Sequence, residues 1–575
     1  MIKSIKNFFS WGLWPWNWFN GEFDPITEGR MAHEYVDIKE REEMTRRMEF
    51  KIMMNFLKSW FFWGGCLATI LGVALHLPMF LMADGCGYML AGMPMSGDMY
   101  IGMAAIVLGF ISCAYGLIPD NNQSYSNTTI RVSTLDDAPI TRAHIGLLIV
   151  MSLAIIIDVM KPTSLSFIMP YMATEYGLKS PLNPGGTIPV SYLALSGITG
   201  TVLGSFLWGW LADKIGRRGS IILAGIGFIG TSICGTMPDF WWNVIMCFLM
   251  GVAVGGLFPI CYALLSEVIP ARHRSWIMAL IGANIVLGYI VTSWATAAMV
   301  PIYSWRILWL IGFPTGILFV MLQRWIPESP RFLAAQGRTD EAEQVMAKYG
   351  AVIIKDTAPD GKVKDTSRWI DLFKPGLTGI SLSITLLGLA AGFVLFGFNL
   401  WIPTNLRKLG FTEADTILRN AAIFGLPMSF IVTGLYGFWS SKKTIILLAL
   451  VTALSLLGFA FAGNSIIEHR WLLYVLLVTP ITGISALSSV LGVYSSEIYP
   501  TNIRSRGAGL SAGIGKFGGI LIIAMATFAI VAPTILAISL FGAITLTIAV
   551  LLVAKYGTET RNRSLEAINN TNKAI

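Results

Sequence analysis

Apolar runs of about 20 residues recur along almost the whole chain from residue 60 onward, joined by short links that carry most of the charge. At about 1.5 Å of rise per residue, each run matches a hydrocarbon core of about 30 Å. Between charged or Pro/Gly punctuation they divide into about fourteen predicted helices, near 60–82, 99–119, 145–172, 191–211, 220–237, 242–265, 276–298, 306–324, 378–400, 420–438, 444–462, 471–494, 507–530 and 533–554. Of all residues, 54% are hydrophobic and 13% charged, against about 25% charged in a soluble domain. Such a chain cannot cover itself with water, so lipid is its solvent and the expected fold class is all-α integral membrane.

The formal net charge of +8 points to topology and not to nucleic acid, because Lys and Arg collect in the links. Lys214, Arg217 and Arg218 follow the fourth predicted helix, Arg272 and Arg274 the sixth, Lys442 and Lys443 the tenth, and Arg504 and Arg506 the twelfth. These four links share one side, which the positive-inside rule makes cytoplasmic; an even helix count then places both termini there. Arg407, Lys408 and Arg419 fall in an outside loop and are the main exception. The six cysteines have no CxxC pair, and neither they nor the five His form a metal-binding spacing, so buried thiols, no metal and no cofactor are expected. The opening MIKSIKNFFSWGLWPWNWFNGEF lacks a clean apolar stretch and a cleavage site, and its Trp and Phe cluster reads as a segment lying on the membrane surface.

Polar stretches divide the chain further. Residues 1–59 form an interfacial N-terminal segment, 60–139 a transmembrane hairpin with its linker, 140–325 a six-helix bundle, 326–376 a cytoplasmic loop, 377–556 a second six-helix bundle and 557–575 a tail. The loop opens with PESPRFLAAQGRTDEAEQVMAKYG, whose charge and apolar alternation suits an amphipathic helix. The two bundles repeat: SEVIPARHRS at 266–275 returns as SEIYPTNIRS at 496–505, 230 positions later and at the same end of the fourth helix of its half. Duplicated six-helix halves with a site between them near mid-membrane suit alternating access.

GWLADKIGRR at 209–218, WR at 305–306, PESPRFL at 327–333, the two SE-P-R repeats and TETRNRSLEAI at 558–568 resemble the major facilitator superfamily, in its sugar-porter and aromatic acid or niacin proton symporter branches. The likeness covers about residues 140–568 and implies a major facilitator fold of two pseudo-symmetric six-helix bundles, here with an extra N-terminal hairpin. It also implies a transporter that works as a monomer in the inner membrane, moving a small-molecule solute with protons. By the same resemblance, Gly209 and Gly216 allow close packing in the loop motif. Asp213, Arg217 and Arg218, with Glu267 and Arg274, and with Glu497, Arg504 and Arg506, form cytoplasmic ion pairs that hold one access state; fixing topology is the alternative reading. The second-half copy of the loop motif reads GLYGFWSSKK at 434–443 and lacks the acidic residue. Cys247 stands where many relatives carry Arg.

Ionisable groups deep in a membrane helix cost about 2.5 to 3.5 kcal/mol on insertion scales, so each is a functional candidate. IIIDVMKPTSLSF places Asp158 and Lys161 three residues apart on one face of the third helix, and LSAGIGKFGG places Lys516 near mid-membrane in the thirteenth. Two lysines against one carboxylate leave a positive charge that an anionic solute would offset. Asp158 is the candidate proton site, with a static Asp158–Lys161 pair as the alternative. Asn284, Asn399, Trp401, Ser485, Ser488 and Tyr494 are candidates to shape the solute, with helix-to-helix bonding the alternative for Asn284 and the serines. A proton-coupled carboxylate symporter leads; sugar or polyol symport, efflux of amphipathic compounds, and a receptor or scaffold on the same fold remain open. GIGKF at 513–517 lacks the first Gly and the Ser/Thr of a phosphate-binding loop, and there is no HExxH motif, so neither an ATP-driven pump nor an enzyme is expected.

Overall fold

The structure, a computed structural model, describes residues 60–118, 128–130, 132–353, 355–357, 369–462, 465–499, 503–528 and 534–560. The surface segment expected over 1–59 and the tail beyond 560 lie outside these residues. Among those described, thirteen helical runs are long and apolar enough to cross a bilayer. They are α1 (Trp60–Cys86), α2 (Gly97–Gly116), α3 (Arg142–Glu175), the run Ser191–Thr236, then α6 (Phe240–Val268), α7 (Arg272–Tyr303) and α8 (Ile307–Trp325). After the polar loop come α9 (Thr378–Lys408), α10 (Ala414–Phe438), α11 (Ser441–Ala462), α12 (Arg470–Ser495), α13 (Gly509–Thr527) and α14 (Ile535–Tyr556).

Ser191–Thr236 holds 46 residues, about twice what a 30 Å core needs. It turns at Gly216, whose φ of 86° and ψ of 168° break the helix, and so forms two crossings, α4 (191–215) and α5 (217–236). Fourteen crossings result, as the sequence implies. A side chain at Gly216 is excluded twice: by the positive φ, and because a Cβ there would lie 2.2 Å from a Glu328 carboxylate oxygen.

Small residues decide which helices touch, because in lipid the gain comes from close packing and not from expelling water. Cβ atoms at Gly200 and Gly204 of α4 would meet backbone carbonyls of α6 at 2.2 and 2.3 Å, and Gly251 and Gly255 of α6 meet α4 in the same way. Gly209 is exposed with nothing within 4 Å of its Cβ position, so the close packing expected there belongs to the glycines one and two turns earlier. The α1–α2 hairpin is seamed alike, through Gly65 against Gly109 and Gly72 against Gly102, and rests on α5 where Gly230 meets Ile106. Its outer face, with Trp60, Leu67, Tyr100, Leu108 and Ile111 exposed, suits lipid. The halves join where α7 packs on α10 and α12, and where α13 packs on the Ser191–Thr236 run.

Two expectations change in detail. The loop after α8 carries two short helices, Pro330–Ala335 and Thr339–Lys348, in place of one, because Gly337 adopts a φ of 73° between them. The ninth helix runs on to Lys408, so Arg407 and Lys408 occupy its last turn and Arg419 lies within α10, not in an outside loop. A short antiparallel ladder pairs Thr128–Ile130 with Lys355–Thr357.

Candidate functional site

Asp158 on α3 and Lys516 on α13 face one another electrostatically across the junction of the halves. Lys516 belongs to the second half, yet its Nζ donates to Ser205 Oγ of α4 and, at 2.8 Å, to the Gly255 carbonyl of α6. That carbonyl sits at the close α4–α6 crossing, where the absence of side chains leaves it open to a second donor. Asp158 is 4% exposed, and its Oδ1 has no hydrogen-bond partner among the described residues.

Lys161 does not join this pair. One turn along α3 it points into the first half, with Nζ 5.9 Å from the Trp309 ring centre and pressed on Gly312 of α8, and with Cys234 as its facing ionisable group. Its Nζ has no hydrogen-bond partner among the described residues, so the static Asp158–Lys161 ion pair is absent. Three residues advance a helix by about 300°, and the remaining 60° separates the junction from the bundle core.

The other solute candidates scatter. Asn284 Nδ2 donates to Ser152 Oγ at 3.0 Å, an α7–α3 bond. Asn399 and Trp401 are buried in α9; Asn399 Nδ2 donates to the Pro480 carbonyl at 2.9 Å, and its Oδ1 has no partner among the described residues. This bond joins two π-turns, 394–398 in α9 and 479–483 in α12, the kind of local widening that recurs at functional sites. Ser485 and Ser488 bond their own helix. Tyr494 bonds the backbone of Thr558 where the chain leaves α14, so it anchors that end of the chain to α12.

The face carrying the α4–α5 and α6–α7 links, the motif face, holds a carboxylate network. Glu328 Oε1 accepts from the backbone N–H groups of Arg217 at 2.7 Å, Arg218 at 3.3 Å and Ser329 at 2.9 Å, capping the start of α5. Its burial raises the carboxyl above its usual range, and those N–H groups oppose the rise. Arg217 bonds Asp213 at 2.9 Å and lies 3.9 Å from Glu267, which also accepts from Ser329 Oγ. The expected Glu267–Arg274 pair does not form: Arg274 turns to Asp136, in the linker before α3. In the second half, Glu559 accepts from the Ser441 N–H at 2.9 Å and from the Ser440 and Ser441 hydroxyls. Glu497 accepts from Tyr436 and Thr560 at 2.9 and 2.8 Å. The side chains of Arg504 and Arg506 lie outside the described residues.

Two clusters on the far face had no sequence signal beyond the WR pair. Arg306, fully buried, bonds Glu175 at 2.6 Å, Tyr176 at 2.8 Å and the Met237 carbonyl at 2.8 Å. Glu175 also accepts from Trp305 and from the Leu90 and Ala91 N–H groups, tying the α1–α2 turn to the end of α3. Across the halves, Tyr171 of α3 donates to Asp415 of α10 at 2.9 Å, and Arg407 of α9 pairs with the same carboxylate.

A family model described as the Major Facilitator Superfamily matches residues 148–523. The niacin transporter NiaP of Acinetobacter baylyi is 26% identical, over 76% of this chain and 99% of that protein. The 4-hydroxybenzoate transporter PcaK of Pseudomonas putida is 26% identical, over 68% and 87%. Among solved structures, the proton:xylose symporter XylE bound to 6-bromo-6-deoxy-D-glucose superposes with a TM-score of 0.57 at 17% identity, covering 74% of this chain and 98% of that one. The inward open conformation of XylE from E. coli gives 0.55 at 18%, covering 74% and 99%; at such identities the likeness concerns the fold.

Proposed function

This chain belongs to the Major Facilitator Superfamily and is a multi-pass membrane transporter, and from that premise we propose that it carries a small organic carboxylate together with a proton by alternating access. The observation that carries this reading is the Lys516 ammonium, which spans the junction of the halves near Asp158 and whose hydrogen bonds, among the described residues, go to neutral oxygens. A solute carboxylate offers that ammonium a stronger, charge-assisted partner than a hydroxyl and a carbonyl.

The same step supplies coupling. While Lys516 faces Asp158, the two charges offset one another. A solute that takes the ammonium leaves Asp158 buried with no counter-charge, and a carboxylate in that position holds a proton. One proton then accompanies one anion, and the loaded site is neutral across the halves. Lys161, withdrawn into the first half, supports α3 from behind. Relatives named for niacin and 4-hydroxybenzoate, both carboxylates, favour this class. The basic links at the motif face favour a cytoplasmic position for that face, in a bacterial inner membrane.

The test is proton movement into proteoliposomes with an internal pH dye, on addition of monocarboxylates, aromatic acids, dicarboxylates and sugars. Carboxylate-dependent acidification lost in Asp158→Asn and in Lys516→Ala supports the reading. Acidification with sugars alone assigns the chain to sugar symport and rejects it.

A further inference from the structure

Arg407 sits in the last turn of α9 at the far face and is 14% exposed, and Asp415, 10% exposed, sits near the start of α10. The guanidinium lies 4.0 Å from the centre of the Tyr171 ring and binds Asp415 Oδ2 through one nitrogen, Nη2, at 2.5 Å. Tyr171 donates to that same oxygen. The second oxygen, Oδ1, is buried and has no partner among the described residues, and neither does the buried hydroxyl of Tyr289, the α7 residue that faces Asp415. The cluster therefore holds a planar cation engaged on one edge, a spare donor and a spare acceptor. All are gathered where both halves meet at the far face.

We propose that Arg407 is an outer docking site for the carboxylate of the transported solute, and that Asp415 occupies it while the far face is closed. This rests on the reading that the solute is a carboxylate. Asp415, held by its own backbone, reaches the guanidinium with one oxygen; a free carboxylate can take the two-bond geometry that a guanidinium fork favours. The Tyr289 hydroxyl supplies a further donor, and the Tyr171 ring already backs the guanidinium. Once a solute displaces Asp415 from Arg407, the carboxylate is free to leave Tyr171, and the charge-assisted bond between the halves at this face is lost. Arrival of the solute and opening of the far face are then one event. The neutral Thr527–Ser191 contact at 2.9 Å is the weaker tie that yields with it.

The experiment uses the full chain in lipid nanodiscs, with Cys86→Ser removing the exposed thiol and Ser191→Cys reporting separation at the far face. Labelling by an impermeant maleimide is read site by site by mass spectrometry, with buried Cys247 as the internal control for unfolding. Benzoate should raise labelling of the reporter about tenfold or more, the scale of one lost charge-assisted hydrogen bond, while benzamide should not. Asp415→Asn should label fast without benzoate and leave Cys247 untouched. Arg407→Ala should lose the benzoate response and Arg407→Lys keep part of it. A full benzoate response in Arg407→Ala, or slow labelling in Asp415→Asn, overturns the docking site alone. If the parent ignores benzoate, 4-hydroxybenzoate and nicotinate alike, the carboxylate reading fails and the docking site fails with it.

Discussion

At the motif face the first and second halves share one device and, among the described residues, surround it with different side chains. In each, a carboxylate from the segment after the last helix of that half caps the third helix of the half: Glu328 caps α5 and Glu559 caps α11. In each, the next residue turns a hydroxyl to the glutamate of the SE-P-R repeat, Ser329 to Glu267 and Thr560 to Glu497. Glu328 and Glu559 lie 231 positions apart, and Glu267 and Glu497 lie 230 apart. The halves differ in what surrounds this core. Among the described residues, the first shows guanidinium pairing through Arg217, Asp213 and Glu267, and the second shows Tyr436, Ser440 and Ser441 hydroxyls. The missing acidic residue of GLYGFWSSKK therefore removes a peripheral group, because the shared device is the capping carboxylate and not the loop aspartate.

The comparison can be broken most directly at Glu328. Replacing it with Ala strands the part-buried N–H groups of Arg217, Arg218 and Ser329, each worth about 1–3 kcal/mol when left unmade and partly recoverable by water. We expect a loss of about 3 kcal/mol, read as a lower Tm in detergent, with faster maleimide labelling of a cysteine placed at the motif face. Gly216→Ala should follow at about 2–3 kcal/mol, since strain at positive φ adds to displacement of the same carboxylate. Glu559→Ala should cost about 1–2 kcal/mol, because among the described residues one backbone N–H points to it, against three for Glu328, and water can satisfy the hydroxyls it also accepts from. Were Glu559→Ala harmless while Glu328→Ala is severe, the two caps would not be equivalent.

The smallest effects sharpen the contrast. The Asp213 side chain is 73% exposed, so Asp213→Asn should change stability by less than about 1 kcal/mol. Phe438→Asp, which restores an acid to the second loop motif, should add no more than about 0.5 kcal/mol at low salt and nothing at high salt. A large stabilisation from Phe438→Asp would show that the second half lacks its lock after all.

Much of this was legible in the chain. Run length against bilayer thickness gave the crossings, the 230-residue repeat gave the halves, and the rarity of intramembrane charge singled out Asp158, Lys161 and Lys516 as candidates. Other assignments were not legible, for a common reason. Asp158 and Lys161 share a helical face by spacing, but about 60° of rotation sends one to the junction and the other to Trp309. Glu267 and Arg274 stand seven residues apart, yet their partners, Ser329 with Arg217 and Asp136, come from elsewhere in the chain. Tyr494 looked inward by pattern, and the backbone beyond α14 claimed it.

What the sequence determined by itself is set by the solvent and by one-dimensional periodicity: that the chain lives in lipid, crosses it many times and repeats itself. Only the tertiary structure decided what the buried ionisable groups meet, such as Lys516 with the Gly255 carbonyl and Arg407 with Asp415 and Tyr171. Hydropathy depends on one segment at a time. A hydrogen bond between helices depends on the rotation and depth of two, and glycine seams far from the charges set both.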